Sequence, residues 1–536
     1  MAAAAAITWH SLGNHGLFPP DEGRYAAVSG WMAEHGGWFA PELRGQLHVT
    51  KPPLAYWAQA ASMAAFGKTE FAVRLPSALA STLLACSVFA FARAALGALV
   101  ATLATAVLAC TPLFLVVGRL AITDPMLALW WWLALCAAWM ALRDGRSRPG
   151  WVVGFWAACA LAGLTKGPLL LAPPAVVAAW LAFAGRWREI GRLHPWFGLP
   201  LAAAPLAAVA WGYYAANPER TMAVWRFEFV DRFTGGSHDT PAWAIPAAFV
   251  VGLFPATAML TLPWFNLSWR AALVPFRSGG LTALLLTATV LPLVGFTALR
   301  GSSPTYLLPL AAPLAVLVSM PLSRWIDGSV DDRPAGTRPP DVRITLAVVL
   351  SVLAIALPVA AAVVAMRGLA PAWAPGWTLA GYALLVVPCA AAGWLCVVAW
   401  RRRALRLPAL GLAFAAWLGA WVGIRDAEDR AMERMSMRPL VATIPAGAPV
   451  AMVGFNDLGV DWLLGRWAVG FWGGKPLQEW ITANPGGVLL VEQAEMDAWE
   501  PRRSAKTSPL RSLEPVAAFD AWPRRRIHVC RVVRPR

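Results

Sequence analysis

The sequence predicts an all-α polytopic membrane protein with a small C-terminal α/β domain. Three observations predict it. Apolar residues make up 58% of the 536 positions and charged residues only 14%, where a soluble domain carries about a quarter charged. The apolar residues fall in blocks of roughly twenty, the length that crosses about 30 Å of hydrocarbon. Beyond residue 423 these blocks give way to a charged tail with short strand-like runs. A soluble globular enzyme and an intrinsically disordered chain are both excluded by this composition, whose mean hydropathy is +0.55.

In chain order, the stretch from Met1 to Leu12 is short for a spanning helix, with no basic run before it and no evident signal-peptidase site. It reads as an N-terminally shortened first span. An amphipathic loop, 13–70, follows and holds most of the first half's polar side chains. Further apolar blocks run near 71–92, 97–117, 122–142, 151–165, 167–184, 197–216, 243–266, 280–299, 304–322, 343–366, 376–399 and 405–423. About 12–13 spans are expected, in a transmembrane domain covering 1–423. Proline and glycine recur inside the blocks, as membrane helices tolerate where neighbours satisfy the freed backbone groups.

Net charge is +16, yet the placement of the charges argues against nucleic acid. Arginines cluster in alternate connections: Arg143, Arg146 and Arg148; Arg186, Arg188 and Arg192; Arg270 and Arg277; Arg324, Arg333, Arg338 and Arg343; Arg401, Arg402, Arg403 and Arg406. Such clusters stay cytoplasmic by the positive-inside rule. The loop 13–70, the loop 217–242 and the tail then share the outer face. Of seven cysteines, Cys86, Cys110, Cys136, Cys159, Cys389 and Cys396 lie inside apolar blocks and Cys530 lies in the tail. No disulfide framework or CxxC site is available, so they read as small buried apolar residues.

The tail, 424–536, contains the runs Pro449–Phe455, Gly487–Glu492 and Ile527–Val533, which read as strands with helices between them. A small α/β domain follows. The segment 460–474 is too short and interrupted to span; its Trp and Phe belong either at the membrane interface or in the domain core.

Three places concentrate ionisable groups near a bilayer face, where they are costly and default to functional hypotheses. In the first loop, Asp21, Glu22, Arg24 and Tyr25 follow Pro19-Pro20, and His48, Thr50 and Lys51 precede Pro52-Pro53. The prolines rigidify the backbone and set Lys51 at a helix start. A carboxylate pair and a fixed cation suit a base or metal ligand beside an anion site, although Asp-Glu equally suits a helix N-terminus. Second, Arg119 and Asp124 interrupt two apolar blocks, either as site residues or as a snorkelling arginine and a cap. Third, Lys166, Arg232 and Arg300, with Tyr306 close behind Arg300, stand against the topological charge bias. Clustered, they would receive a phosphate, Arg with bidentate geometry and Lys as a point charge; singly, they would snorkel to headgroups. No Walker loop, HExxH or nucleophile elbow is present.

The ordered set Asp21-Glu22-x-Arg24-Tyr25-Ala26, Lys51-Pro52-Pro53-Leu54-x-Tyr56-Trp57, Arg119 with Asp124, Leu164-Thr165-Lys166-Gly167-Pro168, Asp231-Arg232-Phe233 and Tyr306-Leu307-Leu308-Pro309 resembles the bacterial aminoarabinose transferases of lipid A modification. Those sit among the protein O-mannosyltransferase-like, GT-C glycosyltransferases. The resemblance covers the chain from Pro20 to about Leu310. It implies a GT-C fold in the bacterial inner membrane, with the catalytic loops and C-terminal domain on the periplasmic side. It also implies an undecaprenyl (polyprenyl) phosphate-sugar donor, with lipid A or another periplasmic glycoconjugate or protein as acceptor. Asp21, with Glu22 and Asp124, would be the catalytic carboxylates. Lys51, Arg24, Arg232 and Tyr306 would hold the donor phosphate, with Arg119, Lys166 and Arg300 in support. Sugar transfer would proceed with inversion. No cofactor is required by the resemblance; a divalent metal ion is left open, with Asp21 and His48 as candidate ligands. One departure stands out: Thr50 precedes Lys51, where many close relatives have Glu. That leaves the sugar open between 4-amino-4-deoxy-L-arabinose and a neutral one. A protein O-glycosyltransferase of the same fold is the alternative within enzymes. A lipid-linked-sugar transporter is the alternative from another class, although paired inverted repeats are not apparent.

Overall fold

In the computed structural model the described residues are 8–18, 20–143, 148–228, 243–260, 279–299, 302–327, 408, 411, 433, 436–471, 475–502, 509–521 and 525–533. The expected spans 343–366, 376–399 and 405–423 therefore lie outside the described residues, apart from 408 and 411. So do Arg232 and Arg300, and part of the expected block 243–266.

Helix α1, Asp21–His35, starts from Pro20 and carries Asp21 and Glu22 in its first turn, where the helix dipole favours acids. It ends at Gly36, whose φ of +74° closes the last turn through a bond from its N–H to the Met32 carbonyl. A two-residue hairpin, β1 (Glu42–Leu43) with β2 (Gln46–Leu47), follows. Pro52-Pro53 then launches α2, Leu54–Phe66. Thr69 caps α3, Glu70–Leu96, by accepting from the Ala72 N–H.

Beyond α3 come α4 (Ala98–Cys110), the short α5 (Pro112–Val117) and α6 (Asp124–Leu142), which opens on Pro125 in its first turn. Helix α7, Pro149–Lys166, ends at Gly167, which takes φ +58°. The chain doubles back there: Leu170 comes so close that a Cβ on Gly163 would lie 3.0 Å from the leucine Cβ. A straight helix would hold those residues about 10 Å apart. The 3₁₀ turn Gly167–Leu171 and α8, Ala172–Phe183, lead away again. The two expected blocks 151–165 and 167–184 are thus the arms of one reversal, with Lys166 at its tip.

Helices α9 (Pro195–Ala216) and α10 (Pro218–Arg226) follow, then α11 (Ala244–Gly252), α12 (Leu281–Ala298) and α13 (Ala311–Ile326). Among the described residues, six stretches are long and apolar enough to cross a membrane: 70–96, 124–142, 149–183 (which includes the reversal), 195–216, 281–298 and 304–324. Small residues set how closely they pack, since lipid gives apolar faces no reason to associate. Ala134, Ala137, Ala138 and Ala141 of α6 are buried, as are Ala158 and Ala162 of α7. A Cβ on Gly154 of α7 would sit 3.9 Å from that of Ala137. Around this seam Trp131, Trp132, Phe155 and Trp180 form the bulky part of one continuous core.

The tail folds about a five-stranded mixed sheet ordered β4-β3-β5-β7-β6: β3 Val450–Val453, β4 Val469–Phe471, β5 Val488–Glu492, β6 Leu513–Ala521 and β7 Arg525–Val532. The three strands expected from the sequence are its three central ones. β3 pairs parallel with β4 and β5, whereas β7 runs antiparallel to β5 and β6. Buried on both faces, β3 and β5 read as continuous apolar runs. Met452, Leu490 and Val529 serve one face, and Val453, Leu489 and Cys530 the other. Edge strand β6 carries Pro515 beside a register shift, as edges tolerate. The described part of the segment 460–474, up to residue 471, belongs to the domain: helix α14, Leu458–Leu464, buries Val460, Asp461 and Trp462.

Tail and first loop are packed together. Trp462 joins Ala26, Ala27, Met63, Ala72 and Val73 in a shared apolar cluster. Arg44 bonds Asp461 through Nε at 2.8 Å, and Arg438 Nε reaches Glu70 at 2.7 Å. Gly23 lies against Gly459 backbone to backbone; a Cβ on Gly23 would be 2.7 Å from the Gly459 nitrogen.

Candidate active site

The prolines before α2 and the reversal at Gly167 bring three separate sequence motifs to one end of the helix bundle. At α1, Asp21 is half exposed and pairs with Arg24 one turn on, at 2.6 Å. The buried Nε of Arg24 has no hydrogen-bond acceptor among the described residues. Lys51, one-sixth exposed, places its Nζ 3.0 Å from Glu228 just beyond α10. Glu228 escaped the sequence reading; its place three residues ahead of Asp231-Arg232-Phe233 was the available signal. Arg220 of α10 donates to the Leu47 carbonyl at 2.6 Å, tying that helix to the first loop.

Asp124 opens α6 and Lys166 closes α7, and they meet with Nζ 2.9 Å from Oδ1, both nearly buried. The same ammonium stands 3.7 Å over the ring centroid of Tyr306. Tyr25 links the two groups: its ring stacks on Tyr56 at 5.2 Å, and its hydroxyl is 3.5 Å from Thr123 Oγ1, beside Asp124. Burial, then the nearby Tyr56 hydroxyl, push the Tyr25 phenol well above its ordinary range. It therefore stays neutral. The Tyr213 hydroxyl is buried without a hydrogen-bond partner among the described residues.

His48 joins this region through Nε2, which lies 2.8 Å from Thr50 Oγ1 and 2.9 Å from the Tyr56 hydroxyl. Burial, and then the charges of Arg24, Lys51 and Arg220, lower it from 6.5 to about 3. The imidazole is neutral at ordinary pH. Among the described residues no three His, Cys, Asp or Glu side chains converge as a metal would need. Asp21 is paired to Arg24, and the ring nitrogen of His48 is engaged by hydroxyls. This donor set does not fit a divalent ion.

Two expected residues lie in a different cluster. Glu22 is buried and accepts from Arg74 Nε at 2.9 Å and Nη2 at 2.7 Å, from the Ala121 N–H at 2.7 Å and from the Phe18 N–H at 2.8 Å. Burial pushes its carboxyl up, but Arg74 and these donors prevail and hold it at about 2. Arg119, also buried, donates to the carbonyls of His10 and Ser11 at 3.0 Å each. Both residues therefore tie the 8–18 segment to the bundle, away from the Lys51 and Lys166 groups. Arg74, which organises that cluster, escaped the sequence reading because it sits at the start of an apolar block, four residues after Glu70.

Comparison with known proteins bears out the resemblance. A family model described as dolichyl-phosphate-mannose-protein mannosyltransferase matches residues 50–211. The undecaprenyl phosphate-alpha-4-amino-4-deoxy-L-arabinose arabinosyl transferase of Edwardsiella ictaluri is 32% identical over 320 residues, 56% of this chain and 55% of that protein. Its counterpart from Pseudomonas aeruginosa strain UCBPP-PA14 is 33% identical over 319 residues, 57% and 56% of the two chains. The chain thus spans about half the length of the curated relatives it matches. The crystal structure of ArnT from Cupriavidus metallidurans bound to undecaprenyl phosphate superposes with a TM-score of 0.75 at 21% identity, over 98% of this chain and 96% of that one. Over about half its length this chain is similar to the undecaprenyl phosphate-aminoarabinose arabinosyl transferases, and it carries an ArnT-like GT-C fold.

Proposed function

We propose that the chain is an inverting membrane glycosyltransferase. It would move a sugar from undecaprenyl phosphate to lipid A or another acceptor at the periplasmic face of the bacterial inner membrane. One observation carries this reading: the residues that could grip a lipid-linked phosphate, Arg24, Lys51 and Lys166, converge with carboxylates at one end of an ArnT-like bundle. In the reaction the bond from the anomeric carbon to the phosphate oxygen breaks as the acceptor oxygen attacks from the opposite face. Where that acceptor is a hydroxyl, its proton passes to Asp21, whose half-exposed carboxylate is oriented by Arg24. The departing undecaprenyl phosphate gains negative charge, which Lys51 and the unsatisfied Nε of Arg24 stabilise. Glu228 on Lys51 is the group a donor phosphate would displace. Asp124 holds Lys166 over the Tyr306 ring, and in this reading the ammonium and the Tyr306 hydroxyl serve the donor. Glu22 and Arg119 support the architecture. Arg232 and Arg300 remain assigned to phosphate binding on the sequence alone.

A protein acceptor is the second reading, favoured by the mannosyltransferase family model over 50–211. Reconstituted protein given undecaprenyl phosphate-aminoarabinose, lipid A and peptide separates the possibilities by mass spectrometry. Sugar on lipid A supports the first reading, sugar on peptide the second, and flipping of the donor without transfer overturns both. Lys51→Ala is expected to lower turnover by about 10²–10³. Asp21→Asn should cost about 10²–10⁴. Full activity in both variants would remove these residues from the site.

A further inference from the structure

A cleft of about 220 Å³ lies between the C-terminal half of α1 and helix α14 of the tail, lined among others by Trp31, Glu34, Lys68, Trp462, Arg466 and Trp467. It is separate from the site described above. Asp21 and Arg24 occupy the first turn of α1, and Trp31 and Glu34 lie ten residues further on, about 15 Å along the helix. At about 30 Å³ per water, the cleft holds roughly seven waters, the bulk of a single sugar ring with its hydroxyls.

The lining has an unusual mix. Three indoles contribute flat apolar area, and the buried Trp462 Nε1 has no hydrogen-bond partner among the described residues. A buried indole N–H normally finds an acceptor; this one, like those of Trp131 and Trp180 in the bundle core, has none among the described residues. Around the indoles stand charged groups that are already engaged. Lys68 Nζ is 2.8 Å from Glu34, and Asp461 is held by Arg44 at 2.6 Å. Arg466 Nη1 donates to the Gly447 carbonyl at 3.1 Å. A phosphate or other anion would have to break the Lys68–Glu34 pair, or draw Arg466 off the Gly447 and Ala448 carbonyls, to gain a cation, and a wholly apolar ligand would strip water from ionised groups. A neutral polyhydroxylated ring avoids both costs. Its C–H-bearing face packs on the electron-rich face of an indole, and its hydroxyls both donate to Glu34 and accept from Lys68 and Trp462.

We propose that the seam between α1 and the tail domain is a saccharide-binding cleft, with Trp467 and Trp31 as stacking platforms and Glu34, Lys68 and Trp462 Nε1 as hydroxyl partners. The site needs both bodies, since α1 supplies Trp31 and Glu34 and the tail supplies Trp462 and Trp467. It therefore makes the tail a reader of glycan near the first loop.

The test is saturation-transfer NMR and calorimetry on the full chain in nanodiscs. The probes are glucose, N-acetylglucosamine and rhamnose, with sorbitol and inorganic phosphate beside them. At least one pyranose is expected to bind with a millimolar Kd, and sorbitol, which has no ring face, at least tenfold more weakly. Trp467→Ala and the surface change Lys68→Ala should each weaken the pyranose at least tenfold, with folding checked by an unchanged melting temperature for Lys68→Ala. Lys51→Ala and added undecaprenyl phosphate should leave it unchanged. The proposal is overturned if no pyranose binds at tens of millimolar, if Lys68→Ala leaves binding intact, or if phosphate binds as well as the sugars. Loss of the signal on adding undecaprenyl phosphate would place the sugar in the donor site and also overturn it.

Discussion

Lys166 stands 3.7 Å above the ring of Tyr306 while its ammonium bonds Asp124 at 2.9 Å. The ring of Tyr306 is therefore engaged by the cation, and in the proposed function its hydroxyl serves the donor phosphate. A cation–π contact of this kind is worth about 0.5–2 kcal/mol, and a hydrogen bond to a charged group about 1.5–3. Tyr306→Phe keeps the ring and removes the hydroxyl, so donor KM should rise about tenfold or more. Tyr306→Leu removes both and should cost a further two- to thirtyfold in kcat/KM. Equal values for Phe and Leu would deny the ring a role, and a wild-type KM for Phe would deny the hydroxyl one.

Arg74 and Glu22 form a buried ion pair whose every carboxylate oxygen has a partner. Removing one member of such a pair costs about 3–5 kcal/mol, because the other is left charged and dry. Arg74→Met should sharply reduce the yield and melting temperature of the protein in detergent, and Glu22→Gln should do so less. Any Glu22→Gln protein that is recovered folded should turn over at close to the wild-type rate, and a folded but inactive variant would return Glu22 to the reacting groups.

The division between those two carboxylates marks how far the sequence was legible. Asp21 and Glu22 are adjacent and follow the same Pro-Pro turn, and nothing in their spacing distinguishes them. Their roles part because they lie 100° apart around α1, one toward solvent and one onto Arg74, and that rotation depends on tertiary packing. The helical blocks, the positions of the motifs and the three central tail strands were readable because apolar runs and β-branched runs are local signals. Edge strands β4 and β6 were not, since an edge with glycine or proline carries no such run. Glu228 was unreadable for a further reason: its meaning comes from Lys51, and only the folded chain brings them together.

Acid should loosen this fold through its buried histidines. His15 is buried beside Arg74, and burial, then that charge, lower it to about 3, as in His48. Its Nδ1 lies 2.7 Å from the Gly16 carbonyl, so the proton is assigned there and Nε2 faces Arg119. An unfolded histidine titrates near 6.5. Between pH 6.5 and 3 the unfolded chain therefore binds up to two more protons than the folded one. The stability these groups contribute is complete above pH 6.5 and drains as pH falls toward 3. Glu22, with a folded value of about 2, adds a further loss from about pH 4.5 downward. The melting temperature should fall steadily from pH 7 to pH 5, with a shallower slope in His15→Gln. A flat profile over that range would mean these histidines are solvated.

Gly23 provides a prediction whose sign separates packing from propensity. It lies in the first turn of α1, a helical position where alanine is ordinarily preferred to glycine. Here a Cβ would come within 2.7 Å of the Gly459 nitrogen and 3.2 Å of its Cα, both backbone atoms that cannot swing aside. Gly23→Ala must therefore push α1 and the tail apart. Asp21 and Arg24 flank the substitution, and a displacement near 1 Å at a reacting group can cost about 10²-fold in rate. Gly30→Ala is the matched control, because its Cβ would meet only ordinary contacts with Trp462, the nearest at 3.5 Å. Gly23→Ala should lower both melting temperature and kcat and expose the tail to protease, while Gly30→Ala should match or exceed wild-type stability. If Gly23→Ala instead stabilises the protein as Gly30→Ala does, the close contact between α1 and α14 is not part of the native packing.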